Sequence, residues 1–203
     1  MPRHRDSRTA LLAAAERIFA ARGLAGARTE EIAAAAGVNK ALLHYYFDTK
    51  EKLHRAVLAN LFEQFLASVR EPLAGTASPR TALLRYVDRH FTFLAEHPNY
   101  PRLLQREMMS GEPHLRPLVQ RYLQPLYRGL TRLLRAGIRR GQFRSVDVDN
   151  MVVSLIAVTV FYFAASPVVS LILEWDVTDQ RRVAARKRAV VDFVRHGLLR
   201  APG

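Results

Sequence analysis

One stretch of the sequence, Met151–Leu173, carries no charged residue over 23 positions. An apolar run of that length can either cross a bilayer or require burial by protein on nearly all sides. Pro167 interrupts the run and removes a backbone donor, and the nearest flanking charges are mainly acidic rather than the basic ones that orient a span. The pattern favours two buried helices that meet at Pro167, with a membrane span as the alternative.

Apolar residues elsewhere recur with helical spacing, and no stretch shows the alternation that is typical of a strand. Leu11, Ala15, Ile18 and Phe19 would form one face of a first helix, which Gly23 is suited to end. The sequence therefore predicts an all-α fold. We expect a small N-terminal unit of residues 1–53, built from three helices, followed by a larger helical domain of residues 54–203.

Side chains that accept hydrogen bonds from backbone N–H groups predict where the N-terminal helices begin. Thr29 is expected to cap a second helix, with Glu30 and Glu31 at its positive end. Asn39 is suited to cap a third helix, and Asp48 or Thr49 a fourth.

Beyond Arg70 the breaks between predicted helices fall at prolines. Residues 116–140 predict one long helix with a kink near Pro125. Asp147 or Asp149 is expected to cap the uncharged segment, and Thr178 to open the last helix.

The chain is strongly basic, with 31 Lys and Arg against 18 Asp and Glu and a formal net charge of +13. This excess favours an anionic partner, with nucleic acid first and an anionic membrane surface second. The absence of cysteine excludes disulfides, thiolate metal sites and cysteine catalysis. Leu11–Ala15 is too short for the apolar core of a signal peptide, so we expect a cytoplasmic protein.

Residues 29–47 read as two short helices joined by a glycine turn, the pattern of a helix-turn-helix. Ala33 lies where the two helices would cross, and a larger side chain there would push them apart. Gly37 occupies the turn, where a residue without Cβ tolerates a positive φ. The side chains expected to face inward are Ile32, Val38 and Leu43.

The outer face of the second of these helices would then carry Asn39, Lys40, Ala41, His44 and Tyr45. Such a helix can enter a major groove with its N-terminal residues nearest the bases. An ordinary helical hairpin is the alternative, but the polar outer face and the basic chain both favour DNA.

Residues 8–57 resemble the DNA-binding domain of tetracycline-repressor-type regulators. The run Leu43–Leu53 is close to the most specific signature of that family. The other matching positions are Leu11–Phe19, Gly23, Thr29, Ile32, Ala33, Ala36, Gly37 and Val38. Residues 101–111 and 113–115 are similar to the effector domain of a subgroup that includes the pyrimidine-utilisation regulator.

The resemblance implies a homodimeric repressor that binds a palindromic operator and is released by a small molecule. Arg28 and Thr29 match phosphate contacts, and the positions able to approach base edges are Lys40, Ala41, Leu42 and His44. Backbone-clamping positions are matched by Tyr45, Tyr46 and Lys50. His44 stands where the family often has Tyr, and Asn39 where Ser is frequent, although Asn39 can still cap its helix.

Release by a small molecule requires an apolar cavity with a few polar groups. Tyr86 and His90 are the best polar candidates, because they lie one turn apart on a predicted helix. The full set of candidate ligand-binding residues is Phe62, Phe65, Leu66, Tyr86, His90, Phe93, Met108, Met109, Tyr122, Tyr127, Phe161 and Tyr162. Plain core packing is the alternative for these side chains, and as ligand contacts they predict a hydrophobic or aromatic effector.

Residues 147–164 and 178–200 are the candidate dimer interface. In the family, two such helices from each subunit form a four-helix bundle, and an uncharged helix needs cover that a small subunit cannot supply alone. The basic run within residues 181–188 reads as a solvated face rather than as a DNA contact.

Two other classes of protein remain open from the sequence alone. A small enzyme could assemble a His/Ser site in space, but the chain has no phosphate-binding glycine loop, metal-binding histidine pair or nucleophile elbow. A basic helical protein bound to a membrane surface is the other. We predict no cofactor, no metal, no catalytic residue and no membrane partner.

Overall fold

The structure is a computed structural model that describes residues 4–75, 77–109 and 111–200. The prediction of an all-α fold is confirmed, since the described residues contain no strand beyond one antiparallel bridge between Phe143 and Leu199. The helices are α1 (His4–Gly26), α2 (Thr29–Ala35), α3 (Lys40–Phe47), α4 (Lys50–Leu73), α5 (Pro79–Glu96), α6 (Asn99–Met109), α7 (Glu112–Leu118), α8 (Gln124–Arg139), α9 (Val148–Ala164), α10 (Ser166–Leu173) and α11 (Gln180–Leu198).

The predicted caps of the N-terminal helices hold at two positions and fail at one. Asn39 accepts from the Leu42 N–H to cap α3, and Thr49 accepts from the Lys52 N–H to cap α4. The prediction for Thr29 is wrong: Arg28 holds the extended cap position of α2 and makes no side-chain cap bond. Thr29 is instead the first helical residue, and its hydroxyl donates to the carboxylate of Glu30.

Helix α4 runs from the N-terminal unit into the larger C-terminal unit. It packs against α1 at its beginning and against α5 and α8 further along. At 24 residues it is about 36 Å long. The boundary expected between residues 53 and 54 falls inside this continuous helix. A movement of α4 would therefore displace residues of both units.

The expected single helix over residues 116–140 is wrong in detail. The segment is α7, a π-helical turn at Val119–Leu123, and then α8. Pro125 lies in the first turn of α8 rather than at an internal kink. A proline ring clashes with the helical turn that precedes it, and the wider π-helical turn at this place leaves room for the ring.

The C-terminal helices begin close to the expected residues. Asp147 caps α9 by accepting from the Asn150 N–H. Asp179, rather than Thr178, caps α11, because its carboxylate accepts from the N–H groups of Arg181 and Arg182. Thr178 instead donates its hydroxyl to Asp176.

The uncharged segment forms α9 and α10, which meet as expected next to Pro167. No single helix in the described ranges is both long and apolar enough to cross a membrane; α9 and α10 reach that length and composition only together, and they are bent by 73°. The expectation that both are buried is wrong within one chain. Leu171 and Ile172 of α10 are 80% and 73% exposed, and Phe161 of α9 is 66% exposed.

Candidate functional site

The turn between α2 and α3 has the geometry that the sequence predicts. Gly37 adopts φ of 68°, and a Cβ there would meet no neighbour, so its backbone conformation rather than lack of space favours glycine. The Val38 N–H donates to the Ala33 carbonyl at 3.0 Å and closes the turn. Because Ile32, Ala33 and Leu43 are buried, the opposite face of α3 points away from the core.

The residues predicted to contact DNA lie along this outward face and at its edges. The exposed ones are Arg28, Asn39, Lys40, Ala41, His44 and Tyr45, and the half-buried ones are Thr29, Leu42, Tyr46 and Lys50. Tyr45 and Tyr46 pack edge to face with ring centroids 5.3 Å apart. The structure thus brings all ten side chains to one end of the molecule.

Lys40, at the start of α3, is bonded to the carboxylate of Glu30 on α2. This hydrogen bond and the charge of Lys40 lower the pKa of Glu30 to about 2, so the carboxylate stays ionised at any physiological pH. Without DNA, therefore, the ammonium that would contact a base edge or a phosphate is held by an acidic neighbour.

His44 is oriented by the residue that ends α3. Its Nδ1 lies 2.9 Å from the carbonyl oxygen of Asp48, which can only accept, so Nδ1 carries the proton. In the neutral ring Nε2 is then an acceptor, and in the protonated ring a donor. A hydrogen bond from Lys52 lowers the pKa of the Asp48 carboxyl, which keeps an acidic group beside the ring.

The side chain of Lys50, a predicted backbone-clamping residue, already has a hydrogen-bond partner within the protein. Its Nζ donates to the carbonyl of Ala27 at 3.0 Å, across the start of α4 and the loop before α2. The ammonium therefore fixes the backbone next to Arg28 in the free protein.

A second candidate site lies among the buried aromatic side chains of α4, α5 and α6. The ring of Phe65 lies 4.9 Å from the imidazole of His90 and 5.3 Å from the ring of Phe93. His90 Nδ1 lies 3.2 Å from the Tyr86 hydroxyl and 3.1 Å from the Thr159 hydroxyl. The predicted pairing of Tyr86 with His90 on one helix is therefore present.

The other end of this cluster is formed by Phe62, which stacks on Tyr122 at 5.0 Å and meets Tyr100 edge to face at 5.3 Å. Tyr100 also lies 5.6 Å from Phe65. Sequence reasoning missed Tyr100 and Thr159. Tyr100 lies between two prolines, where no helix face could be assigned, and Thr159 lies in a run that was explained by burial alone.

Burial fixes the protonation state of the polar groups in the cluster. It lowers the pKa of His90 to about 3 and raises the pKa values of Tyr86 and Tyr100 well above the usual value for tyrosine. At neutral pH the site therefore presents a neutral imidazole and neutral phenols among apolar rings. Such a site favours an uncharged molecule over an ion.

The remaining candidate ligand residues do not join this cluster. Met108, Met109, Tyr127 and Phe161 are exposed, at 58%, 83%, 36% and 66% respectively. Leu66 is half-buried against the core. Tyr162 is buried, but its hydroxyl donates to the Val177 carbonyl and its nearest aromatic neighbours are Phe91 and Phe163.

Helix α6 connects the aromatic cluster to the N-terminal helices. At its start the Tyr100 ring contacts the cluster, and the amide of Asn99 donates to the carboxylate of Glu16 on α1. Further along, the guanidinium of Arg106 donates to the carbonyls of Ala20 and Ala21 near the end of α1. A shift of Tyr100 would therefore be transmitted to α1 through α6.

The same helix contacts the beginning of α4. The carboxylate of Glu107 lies 3.5 Å from Nε2 of His54, and both side chains are buried. No group of three or more metal-ligating side chains occurs within the described ranges.

Two family models match this chain in succession. One, described as bacterial regulatory proteins of the tetR family, matches residues 11–57, which hold α1, α2, α3 and the start of α4. The other, described as the tetracycline repressor-like C-terminal domain, matches residues 79–194. The first match covers the α3 face, and the second covers the members of the aromatic cluster that follow residue 79, but neither covers Phe62 and Phe65 of α4.

Characterised proteins resemble the chain over nearly its whole length. It is 28% identical over 193 residues to the HTH-type transcriptional regulator RutR of Escherichia coli K12, covering 92% of this chain and 89% of that protein. It is 27% identical over 197 residues to the HTH-type transcriptional repressor NicS of Pseudomonas putida, covering 96% and 93%.

Solved structures share the fold. The ketosteroid transcriptional regulator KstR2 of Mycobacterium tuberculosis superimposes with a TM-score of 0.78 at 21% identity, covering 96% of this chain and 95% of that one. The regulator FadR of Bacillus subtilis, solved with stearoyl-CoA, superimposes with a TM-score of 0.71 at 21% identity, covering 92% and 96%.

Proposed function

The chain belongs to the TetR family of bacterial transcriptional regulators, and we propose that it is a homodimeric repressor that leaves its operator when a small apolar or aromatic molecule binds among the buried rings. The observation that carries the proposal is the outward face of α3. This face exposes Lys40, Ala41, His44 and Tyr45 next to a turn in which Gly37 adopts a positive φ.

The chemistry of the α3 face supports recognition of duplex DNA. Lys40 and His44 supply side chains that can bond to base edges, and Arg28 supplies a guanidinium at the start of α2 for a phosphate. A regulator that binds the bacterial chromosome acts in the cytoplasm, so the proposal includes a cytoplasmic location. Binding and release of DNA need no chemical step, so it includes no catalytic activity.

The apolar side chains that one chain leaves exposed support a dimer. Most of the large exposed apolar side chains in the described residues lie on α9, α10 and α11, within or beside the predicted interface of residues 147–164 and 178–200. They are Val153, Phe161, Val168, Leu171, Ile172, Leu173 and Phe193. Exposed large apolar side chains concentrated on neighbouring elements are typical of an obligate interface. Two α3 helices in such a dimer would lie about 34–36 Å apart, or a multiple of this, to reach successive major-groove faces of a pseudo-palindromic operator.

The proposed effector site is the cluster around His90. Its rings supply apolar contact, and the neutral imidazole and hydroxyls supply hydrogen bonds that fix the orientation of a ligand. A ligand that separates Phe65 from Tyr100 would move α6, and through Asn99 and Arg106 would move α1. A change in the position of α1 alters the angle of α3 and removes the dimer from its half-sites.

Binding of the purified protein to the DNA upstream of its own gene tests the proposal, with salt titration and unrelated duplex DNA as competitor. We expect tight binding that survives the competitor and falls steeply with salt. Lys40→Ala and His44→Ala should reduce the preference for operator over unrelated DNA, whereas Lys50→Ala should weaken binding to both alike. Equal loss of specific and unspecific binding in the first two variants would contradict base reading by α3.

A further inference from the structure

A cleft of about 530 Å³ lies between the end of α4, the beginning of α5 and one face of α8. This volume falls in the range of small-molecule sites. Leu73, Pro79 and Ala136 contribute apolar surface to it, and the arginines that line it are Arg132, Arg135, Arg139 and Arg140. The cleft thus combines an apolar surface with four guanidinium groups.

Among the described residues these four arginines have no acidic partner. None of their guanidinium groups makes a hydrogen bond or an ion pair with a described residue. Some exposed arginines elsewhere are paired, as in Arg22 with Glu31 and Arg85 with Glu71. The guanidinium donors at the cleft are therefore available to a ligand.

The segment that supplies these arginines has no acidic residue of its own. Residues 113–146 contain eight arginines and no Asp or Glu. So many like charges on one segment repel one another, and a bound anion would relieve that repulsion. Arginine also presents two parallel N–H donors that match the oxygens of a phosphate group.

The position of the cleft excludes the operator as its occupant. Leu73, the last residue of α4, lies next to α8, since a Cβ added at Gly129 would be 3.3 Å from its Cδ1, whereas α3 ends at Phe47, just before the first residue of α4. The length of α4, about 36 Å, separates the two ends. The buried rings around His90 do not line the cleft either.

We propose that this cleft binds an organic phosphate, that is, a phosphate ester whose anionic group is held by Arg135 and Arg139 and whose apolar body lies on Leu73 and Ala136. The site is separate from both the α3 face and the His90 cluster. It therefore goes beyond the proposed function and does not require the effector of that cluster to be known.

Calorimetric titration of the full chain with monomeric octyl phosphate tests the site. We expect saturable binding that the double variant Arg135→Gln/Arg139→Gln weakens by at least about tenfold. The matched control Arg89→Gln/Arg102→Gln removes the same charge from exposed positions on α5 and α6 and should keep the affinity within about twofold. Thermal unfolding confirms that each variant is folded.

A substitution in the apolar surface distinguishes binding of an amphiphile from attraction by charge alone. Ala136→Phe should fill the cleft and weaken octyl phosphate much more than inorganic phosphate. Vesicles of phosphatidylcholine with phosphatidic acid distinguish the source of the ligand. Cleft-dependent vesicle binding supports a lipid phosphate, and octyl phosphate binding without it supports a soluble ester.

Three results would overturn the proposal. One is the absence of saturable octyl phosphate binding to the wild type. Another is equal weakening by the cleft variant and the Arg89/Arg102 control, which would mean that only net charge matters. The third is complete displacement of octyl phosphate by duplex DNA that lacks the operator, which would assign the arginines to a nucleic-acid surface.

Discussion

Lys40 and Glu30 form an ion pair across the helix-turn-helix, in which the ammonium at the start of α3 is bonded to the carboxylate on α2. Both side chains are largely exposed, so the pair adds little to stability. Its consequence for the proposed function is that an acidic group lies beside the ammonium assigned to DNA. If Lys40 contacts DNA as proposed, the DNA replaces Glu30 as its partner.

Glu30→Gln should therefore tighten DNA binding. We expect the affinity for operator to rise by roughly threefold or more, because Lys40 is released to contact DNA. Glu31→Gln is the matched control, since Glu31 pairs with Arg22 and its loss leaves the Lys40 bond in place. Fluorescence anisotropy with labelled operator measures the difference. Equal gains in the two variants, or a gain that persists in Glu30→Gln/Lys40→Ala, would contradict the role given to the pair.

Phe161→Asp should convert the dimer to a monomer. The side chain is 66% exposed on α9, and a carboxylate buried in a dimer interface would have no partner. Sedimentation velocity should show a monomer, and operator affinity should fall by about a hundredfold as two-site binding is lost. Met109→Asp, which places the same charge at an exposed apolar residue of α6, should remain dimeric. A dimer in both variants would remove α9 from the interface.

His90 should make stability depend on pH. Burial lowers its pKa to about 3 in the folded state, below the value of about 6.5 for an unfolded histidine, so the unfolded chain binds the extra proton first. Stability contributed by the neutral ring is present above pH 6.5 and is lost as the pH falls from 6.5 towards 3, by at most about 1.4 kcal/mol per pH unit.

Urea unfolding at a series of pH values measures this loss. His90→Gln should flatten the dependence between pH 6.5 and 4.5, whatever its effect on stability at pH 7. His196→Gln, at a surface position of α11, should keep the wild-type curve. An unchanged slope in His90→Gln would mean that the buried imidazole is not the group responsible.

Gly137→Ala should destabilise the fold. A Cβ at this position would lie 2.1 Å from Cδ2 of Phe143, which is buried beside the Leu199 bridge. Overpacking of this kind costs about 1–3 kcal/mol. Gly197→Ala, where a Cβ meets nothing, should be neutral or stabilising because alanine favours a helix. Free energies of unfolding compare the two, and similar values would show that Phe143 can move away at little cost.

Several features of the first unit could be predicted because they depend on neighbours in the chain. The positive φ of Gly37, the Asn39 cap and the Thr49 cap each involve groups within a few residues of one another. The Leu43–Leu53 signature likewise indicated the family from residues alone. The cap predicted at Thr29 failed because the chain enters α2 one residue earlier, with Arg28 extended.

Contacts between distant residues could not be predicted, because local spacing does not determine which helix faces meet. Thr159 reaches His90 from 69 positions away, and Tyr100 joins Phe62 from another helix. Exposure of Phe161 and Leu171 also depends on packing, since an apolar sequence gives the same signal whether its own chain or a second copy covers it.

The sequence by itself determined the all-α fold, the helix-turn-helix and its outward residues, because helical periodicity, caps and a glycine turn act over a few residues. Only the tertiary structure decided that Glu30 restrains Lys40 and that His90 is a buried neutral group. It also decided that four arginines line a cleft and have no acidic partner among the described residues. These properties depend on distance and burial in three dimensions, which set the strength of every charge and hydrogen bond in the protein.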